Sequence, residues 1–346
     1  MKTELIDSKV SGAVKWVGYI TAILSLFAML VGIVRYVANR VETNRKIVTL
    51  ISSEQLQARG RDYASAWQTL EQASNLKPNS SEVLAAQVTL AEEWLEDIHV
   101  QEPEKFSDVT AKVEPVLTRS IASSKPGEAR ADLLSHLGWA YFLESRDGRD
   151  NLDPAGTYAQ AIADDPNNPY AQAMWGHWIL WNGGKLSDAE QHFALAMTSQ
   201  RQGDFVRRLQ LGALEDCSTD ECREEIVRVA TVMRKEQQTV DEDMRRRILN
   251  IYYFEFVPQD SRTTRFIDAV PRAEHVATFR WLFDGLDLDD SKSVLRTYYL
   301  AALQDAAGQD NDALTNYRLV HEKMPSHSGP VADATDAAIK RLSKSH

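Results

Sequence analysis

A spacing of about three dozen residues recurs along this chain, and it constrains the fold more than any single residue does. Gly138 and Gly176 stand 38 residues apart, Tyr158 and Phe193 stand 35 apart, and Gly176 and Gly212 stand 36 apart. A period of that size is two helices and two turns. One such pair has too little apolar surface to bury alone, so pairs must stack on one another.

The residues around the period share a grammar. Asp62-Tyr63-x-x-Ala66-x-x-x-Leu70-x-x-Ala73 ends at Pro78-Asn79. Leu137-Gly138-x-x-Tyr141 leads to Tyr158-x-x-Ala161 and Pro166-Asn167, and Trp175-Gly176-x-x-Ile179 passes the turn Gly183-Gly184 to Ala189-x-x-x-Phe193-x-x-Ala196. Near the C-terminus Leu300-Ala301 precedes Gly308, Ala313, Tyr317 and Pro325. Small residues stand where two helices cross closely, large ones where a gap must be filled, and proline stops the second helix. This pattern resembles the tetratricopeptide repeat family. The resemblance implies an all-α chain, a TPR-like solenoid of helical hairpins, whose function is to bind other proteins.

About two thirds of the part after the N-terminal apolar run carries the pattern. The stretch 101–126 is an irregular second half for the hairpin opened at Ser81, with Pro115 inside a helix, and 145–153 inserts a few residues. From Asp241 to Asp284 helical periodicity persists without the signature spacing. Val331 to Lys344, with Ala334, Ala337, Ala338 and Leu342 on one stripe, suits a helix that caps the last repeat.

From Trp16 to Val34 the chain carries no charge. Nineteen helical residues at about 1.5 Å each span close to the ~30 Å hydrocarbon thickness of a bilayer. Trp16, Tyr19 and Tyr36 stand at its edges, as interfacial anchors do. A cleaved signal peptide has a shorter apolar stretch and a small-x-small site, which the residues after Val34 lack. The expected organisation is a tail over 1–15, a membrane helix over 16–34, a juxtamembrane segment over 35–46 and a repeat domain over 47–346. The expected location is therefore a membrane, crossed once, such as the bacterial inner membrane. Basic residues balance across the span: Lys2, Lys9 and Lys15 before it, Arg35, Arg40, Arg45 and Lys46 after it. The short N-terminal tail and a close cysteine pair favour an extracytoplasmic, periplasmic repeat domain, against the arginine cluster after Val34. Gly18, Ser25 and Gly32, at seven-residue spacing, form a candidate small-residue contact with a membrane protein partner.

Composition narrows the chemistry. A net charge of −11 opposes nucleic-acid binding, which requires phosphates to be neutralised. Arg245, Arg246 and Arg247 sit among acids and read as a solvated helix face. The two cysteines, Cys217 and Cys222, have no histidine near them to complete a zinc site, and form a possible disulfide. Neither acidic loop, at 147–153 or 287–290, has the ligand spacing of a calcium loop. No motif for a metal, cofactor, small-molecule substrate or catalytic constellation occurs. The expectation is no cofactor, no metal and no enzyme; a cryptic active site would need a convergent polar cluster in the groove.

The most distinctive local feature is Met174-Trp175-Gly176-His177-Trp178-Ile179-Leu180-Trp181, one repeat after Trp139. Trp175 and Trp178 match packing positions. His177 and Trp181, one turn apart, match the inner wall of the array, with Asp132, Ser135, Trp139 and Phe142 on the preceding pair and Tyr170 beside them. Aromatic anchors with a few polar groups suit an extended or helical peptide segment. The function expected is a membrane-anchored scaffold or adaptor that holds partner proteins in a concave groove; the alternative is a regulatory or sensory subunit of a membrane complex.

Overall fold

The computed structural model describes residues 2–98, 105–148, 152–199, 203–217, 219–238, 240–251, 270–284, 286, 290–324 and 328–344, with the backbone alone described at 2–25, 28, 250–251 and 290–292. Every regular element among them is an α-helix. In chain order these are α1 (Lys2–Arg59), α2 (Tyr63–Leu76), α3 (Ser81–Asp97), α4 (Phe106–Ser123), α5 (Glu128–Arg146), α6 (Pro154–Asp164), α7 (Pro169–Trp181) and α8 (Leu186–Thr198). They continue as α9 (Gly203–Cys217), α10 (Asp220–Lys235), α11 (Glu242–Ile251), α12 (Arg272–Asp284), α13 (Asp290–Ala306), α14 (Asp310–Lys323) and α15 (Pro330–Leu342). The chain divides into two compact units, Met1–Ser124 with Arg146–Arg149, and Lys125–Ser145 with Asp150–His346.

In the first unit, α1 is the first helix of the first hairpin. Its residues Ile47, Leu50 and Ile51 pack with Ala73 of α2 and Val83 of α3, and Ala58 is buried two turns further on. Thr69 of α2 donates its hydroxyl to Gln57 Oε1 of α1 at 2.9 Å. Asp62 caps α2 by accepting from the Ser65 amide. Tyr63 and Trp67 of α2 lie against Trp94 of α3, with ring centroids 6.3 and 6.2 Å apart. Pro115 is inside α4, but on its exposed side, where the carbonyl that loses its amide partner is open to water.

Among the described residues no helix is long and apolar enough to cross a membrane. Most side chains of the apolar run 16–34 lie outside the described residues. The backbone of α1 passes without a break from that run through 35–46 into the hairpin, so no loop separates the run from the first repeat.

The second unit builds its hairpins on close crossings. A Cβ on Gly138 of α5 would sit 2.5 Å from Cε1 of Tyr158 on α6, and a Cβ on Gly176 of α7 would sit 3.1 Å from the Ala189 carbonyl and 3.2 Å from the Phe193 ring of α8. Tyr158, Ala161, Ala189, Phe193 and Ala196 are all buried. One period later Gly212 of α9 has room: the nearest atom to its Cβ position is Nη2 of Arg247 at 3.7 Å. At the C-terminal end Tyr298 and Ala301 of α13, Ala313 and Tyr317 of α14, and Ala338 and Leu342 of α15 form one core. Gly308 turns the chain there with φ of 75°, a left-handed conformation suited to glycine. Thus α15 covers the last hairpin.

One buried charge stands out in the first unit. Glu54 of α1 is 5% exposed, and its burial, with the Glu93 carboxylate of α3 beside it, pushes its pKa from 4.5 up to about 7. Glu93 is itself raised by burial and by Glu96.

Two predictions follow from this packing. Gly138→Ala overpacks the Tyr158 ring and lowers the unfolding free energy by about 1–3 kcal/mol, whereas Gly212→Ala gains up to about 1 kcal/mol because alanine is the better helix former; denaturant melts of the two variants check the contrast. For Glu54, the folded chain holds a proton that the unfolded chain has lost between about pH 4.5 and 7, so stability falls as pH rises through that window, by on the order of 2–3 kcal/mol. Melts followed by Trp67 and Trp94 fluorescence at pH 5 and 7.5 should show that fall, and Glu54→Gln should flatten it.

Candidate functional site

The C-terminal halves of α5 and α7 bring an aromatic row together in the second unit. Trp139 and Phe142, three residues apart on α5, have ring centroids 4.9 Å apart. His177 of α7 inserts its ring edge against both, 5.1 Å from Trp139 and 5.0 Å from Phe142. Phe142 also meets Trp178 at 6.2 Å and Trp181 at 5.4 Å, each nearly perpendicular to it. Edge-to-face arrangements of this kind suit the ring quadrupoles.

The row is mostly interior. Trp139, Phe142 and His177 are buried, while Trp181 is 41% exposed. Trp178 is half-buried. The sequence places His177 and Trp181 together on an inner wall, with Trp175 and Trp178 in the core. In the structure His177 lies at the α5–α7 contact, and Trp175 is half-buried, stacked on His192 of α8 at 5.6 Å with the rings 6° from parallel. Adjacent first helices pack through the face that carries Trp139 and His177. That face is a seam between repeats.

The polar members have structural partners as well. Asn168 caps α7, its Oδ1 accepting from the Ala171 amide at 2.9 Å. Asn168 Nδ2 donates to Asp132 Oδ1 at 2.6 Å, while the Ser135 hydroxyl donates to the Ala131 carbonyl at 2.6 Å and lies 3.4 Å from Asn168 Oδ1. Asp132 thus orients the cap of the next repeat's first helix. Tyr170 is buried between the rings of His136, 4.5 Å away, and Phe205, 5.5 Å away. On the other side of α7, His192 Nδ1 donates to Gln172 Oε1 at 2.6 Å, and Gln172 Nε2 donates to the Pro166 carbonyl. Burial lowers the His192 pKa against the opposing pull of Asp188, which favours the neutral ring on Trp175.

Further along the same unit, Glu225 of α10 is pushed up to about 7 by burial and by Glu190 of α8, with Arg228 opposing. Two of the three consecutive arginines pair with acids, Arg246 with Glu242 and Arg247 with Glu215. Arg245 departs from the solvated face read for the triplet. Its guanidinium lies 4.8 Å from the centre of the Trp281 ring and donates to the Trp281 carbonyl at 2.6 Å, joining α11 to α12.

Cys217 and Cys222 are bridged, with Cα atoms 6.2 Å apart, tying the end of α9 to the start of α10. Thr219 between them caps α10 by accepting from the Cys222 amide. Asp153, in the first acidic loop, caps α6 by accepting from the Gly156 amide. Of the small-residue stripe, Gly18 and Ser25 have side-chain positions outside the described residues, and a Cβ on Gly32 would meet nothing within 4 Å. No group of three or more metal-ligating side chains occurs among the described residues.

No protein-family model matches the chain, and no curated protein matches it. Among solved structures it is similar to the crystal structure of a tetratricopeptide repeat protein from Parabacteroides merdae, with 12% identity, a TM-score of 0.40, and 86% of this chain and 99% of that chain covered.

The burial pattern separates packing from accessible surface. Phe142→Ala is expected to lower the unfolding free energy by about 3–5 kcal/mol, and Trp181→Ala by about 1 kcal/mol or less. Urea melts that rank the two the other way would place the packed centre of the row at Trp181.

Proposed function

We propose that this chain is a membrane-anchored, TPR-like scaffold that holds partner proteins against its repeats. The observation that carries the reading is the continuity of α1. Its apolar residues Leu26, Phe27, Met29, Leu30, Ile33 and Val34 are exposed around the helix, and the same helix then buries Ile47, Leu50 and Ile51 in the first hairpin. A helix that is apolar all round and turns these residues away from the repeats of its own chain suits lipid. One that continues into a packed repeat ties the repeats to the bilayer surface. Confinement of that kind raises the effective concentration of any partner held there.

On the repeats, the accessible end of the aromatic row is the place for a partner. Trp181, 41% exposed and backed by the buried Phe142 ring, offers a rigid apolar surface that loses little side-chain entropy on binding. Apolar or aromatic peptide segments suit it, and the net charge of −11 favours basic ones. The Cys217–Cys222 bridge favours repeats on the extracytoplasmic side, where disulfides persist.

Three measurements test this reading. Alkaline carbonate should leave the full-length protein in the membrane pellet, and release would remove the anchor. Proximity labelling should lose part of its labelled set in Trp181→Ala, and an unchanged set would remove Trp181 from the binding surface. A maleimide mass tag should modify the cysteines of the protein taken from cells only after reduction; modification without reductant would move the repeats to a reducing compartment.

A further inference from the structure

Helix α1 presents two apolar stripes, and the hairpin covers only one. Ile47, Leu50, Ile51, Glu54 and Ala58 turn towards α2 and α3. The second stripe is Phe27, Leu30, Val34, Val37, Val41, Asn44 and Val48, spaced alternately by three and four residues. Its six apolar members are between 47% and 66% exposed. The stripe lies roughly 100° round the helix from the packed face.

A repeat of three and four is the coiled-coil seam. In that register Phe27, Val34, Val41 and Val48 take the a positions and Leu30, Val37 and Asn44 the d positions. β-Branched residues at a with leucine at d favour two strands, a combination met by Val34 with Leu30, and a polar seam residue, which in known cases stands at a, here stands at d as Asn44. Val37, Val41 and Val48 fall beyond the apolar run 16–34. In water they form an apolar line on a helix that otherwise carries Arg35, Asn39, Arg40, Glu42, Arg45 and Lys46. Covering the stripe from Phe27 to Val48 on both partners removes about 1,200 Å² from solvent and lipid, the lower end of stable interfaces.

We propose that a second copy of this chain covers the stripe, the two α1 helices winding in parallel and in register as a two-stranded coiled coil from Phe27 to Val48. The parallel sense rests on the membrane anchoring proposed above, since two copies inserted alike present the same end of α1. Anchoring also assists a short seam, because it prealigns the helices and concentrates them in one plane. Asn44, whose Oδ1 accepts from Lys77 Nζ at 3.5 Å within one copy, exchanges that long contact for Asn44 of the other copy across the seam. One local contact opposes association: in register, Arg40 at g faces Arg45 at e of the other copy, a like-charge pair that salt screens. Gly18, Ser25 and Gly32 fall on the opposite, f, face and stay open to lipid or to another membrane protein.

Single cysteines placed one at a time from Val34 to Val48 in the full-length protein, reconstituted in lipid vesicles and oxidised with copper phenanthroline, test the proposal. Cross-linking should peak at Val34, Val37, Val41, Asn44 and Val48 and fall at Arg35, Asn39, Glu42 and Lys46, by about fivefold or more. Light scattering in detergent should give a protein mass of two copies, reduced to one by Val37→Asp with Val41→Asp; both sites are exposed and lie outside the hairpin core, so the thermal melt of the repeats should stay unchanged. Arg45→Glu should raise the dimer fraction several-fold at low salt, because it turns the Arg40 contact attractive. A flat cross-linking profile, a mass of one or of three copies, or weaker dimers in Arg45→Glu overturns the proposal. Carbonate extraction reports separately on the anchor: a released protein that keeps the seam profile removes the membrane and leaves the coiled coil standing.

Discussion

The close crossing of paired helices is the constraint on which the repeats depend. At Gly138 and Gly176 the absence of a side chain lets a ring from the partner helix, Tyr158 or Phe193, fill the space at the crossing point. A small residue on one helix and a large one on the other gives interior packing density without strain, and a hairpin built this way presents a repeatable outer surface to its neighbour. Ala73 of α2 is likewise a small residue at a crossing, packed with Ile47 of α1, so the helix that carries the apolar run also serves as the first member of a hairpin. The last hairpin closes with Ala313 and Tyr317 under α15, whose own stripe ends the stack.

The hairpins were legible in the sequence because this alternation of small and large residues is local and recurs at a fixed spacing. The aromatic row was legible as a cluster, and its burial was not. A helical wheel places His177 and Trp181 on one side of α7, but it carries no information about which neighbour approaches that side. The neighbour is α5, and its Trp139 and Phe142 rings enclose His177 and leave Trp181 at the rim.

Long-range polar partners had no sequence signal at all. Asp132 and Ser135 read as groove residues because their spacing from Trp139 fits one helix face, yet Asp132 accepts from Asn168 on the next repeat and Ser135 donates to the Ala131 carbonyl of its own helix. Arg245 differs from its two neighbours only by where the helix turns it, which puts its guanidinium over Trp281. Glu54 is the sharpest case. Glutamate in a helix is ordinarily a solvent-facing residue, and only its register with Ile47, Leu50, Ile51 and Ala58 marks it as part of the packed face.

The helical continuity of α1 bears on how the repeats would act at a membrane. A flexible linker lets a tethered domain sample many orientations, and its effective concentration at any one surface falls with linker length. A helix instead fixes the first hairpin at a set rotation, because the faces of a helix are locked to one another by its 100° step. The stalk over 35–46 makes few tertiary contacts, so its helicity rests on local terms such as the solvent-screened Glu42–Lys46 pair at 2.8 Å. Short isolated helices are marginal in water. A second α1 along the valine stripe would supply the missing packing, and the segment least stable alone would then become the one that sets the geometry of the whole tether.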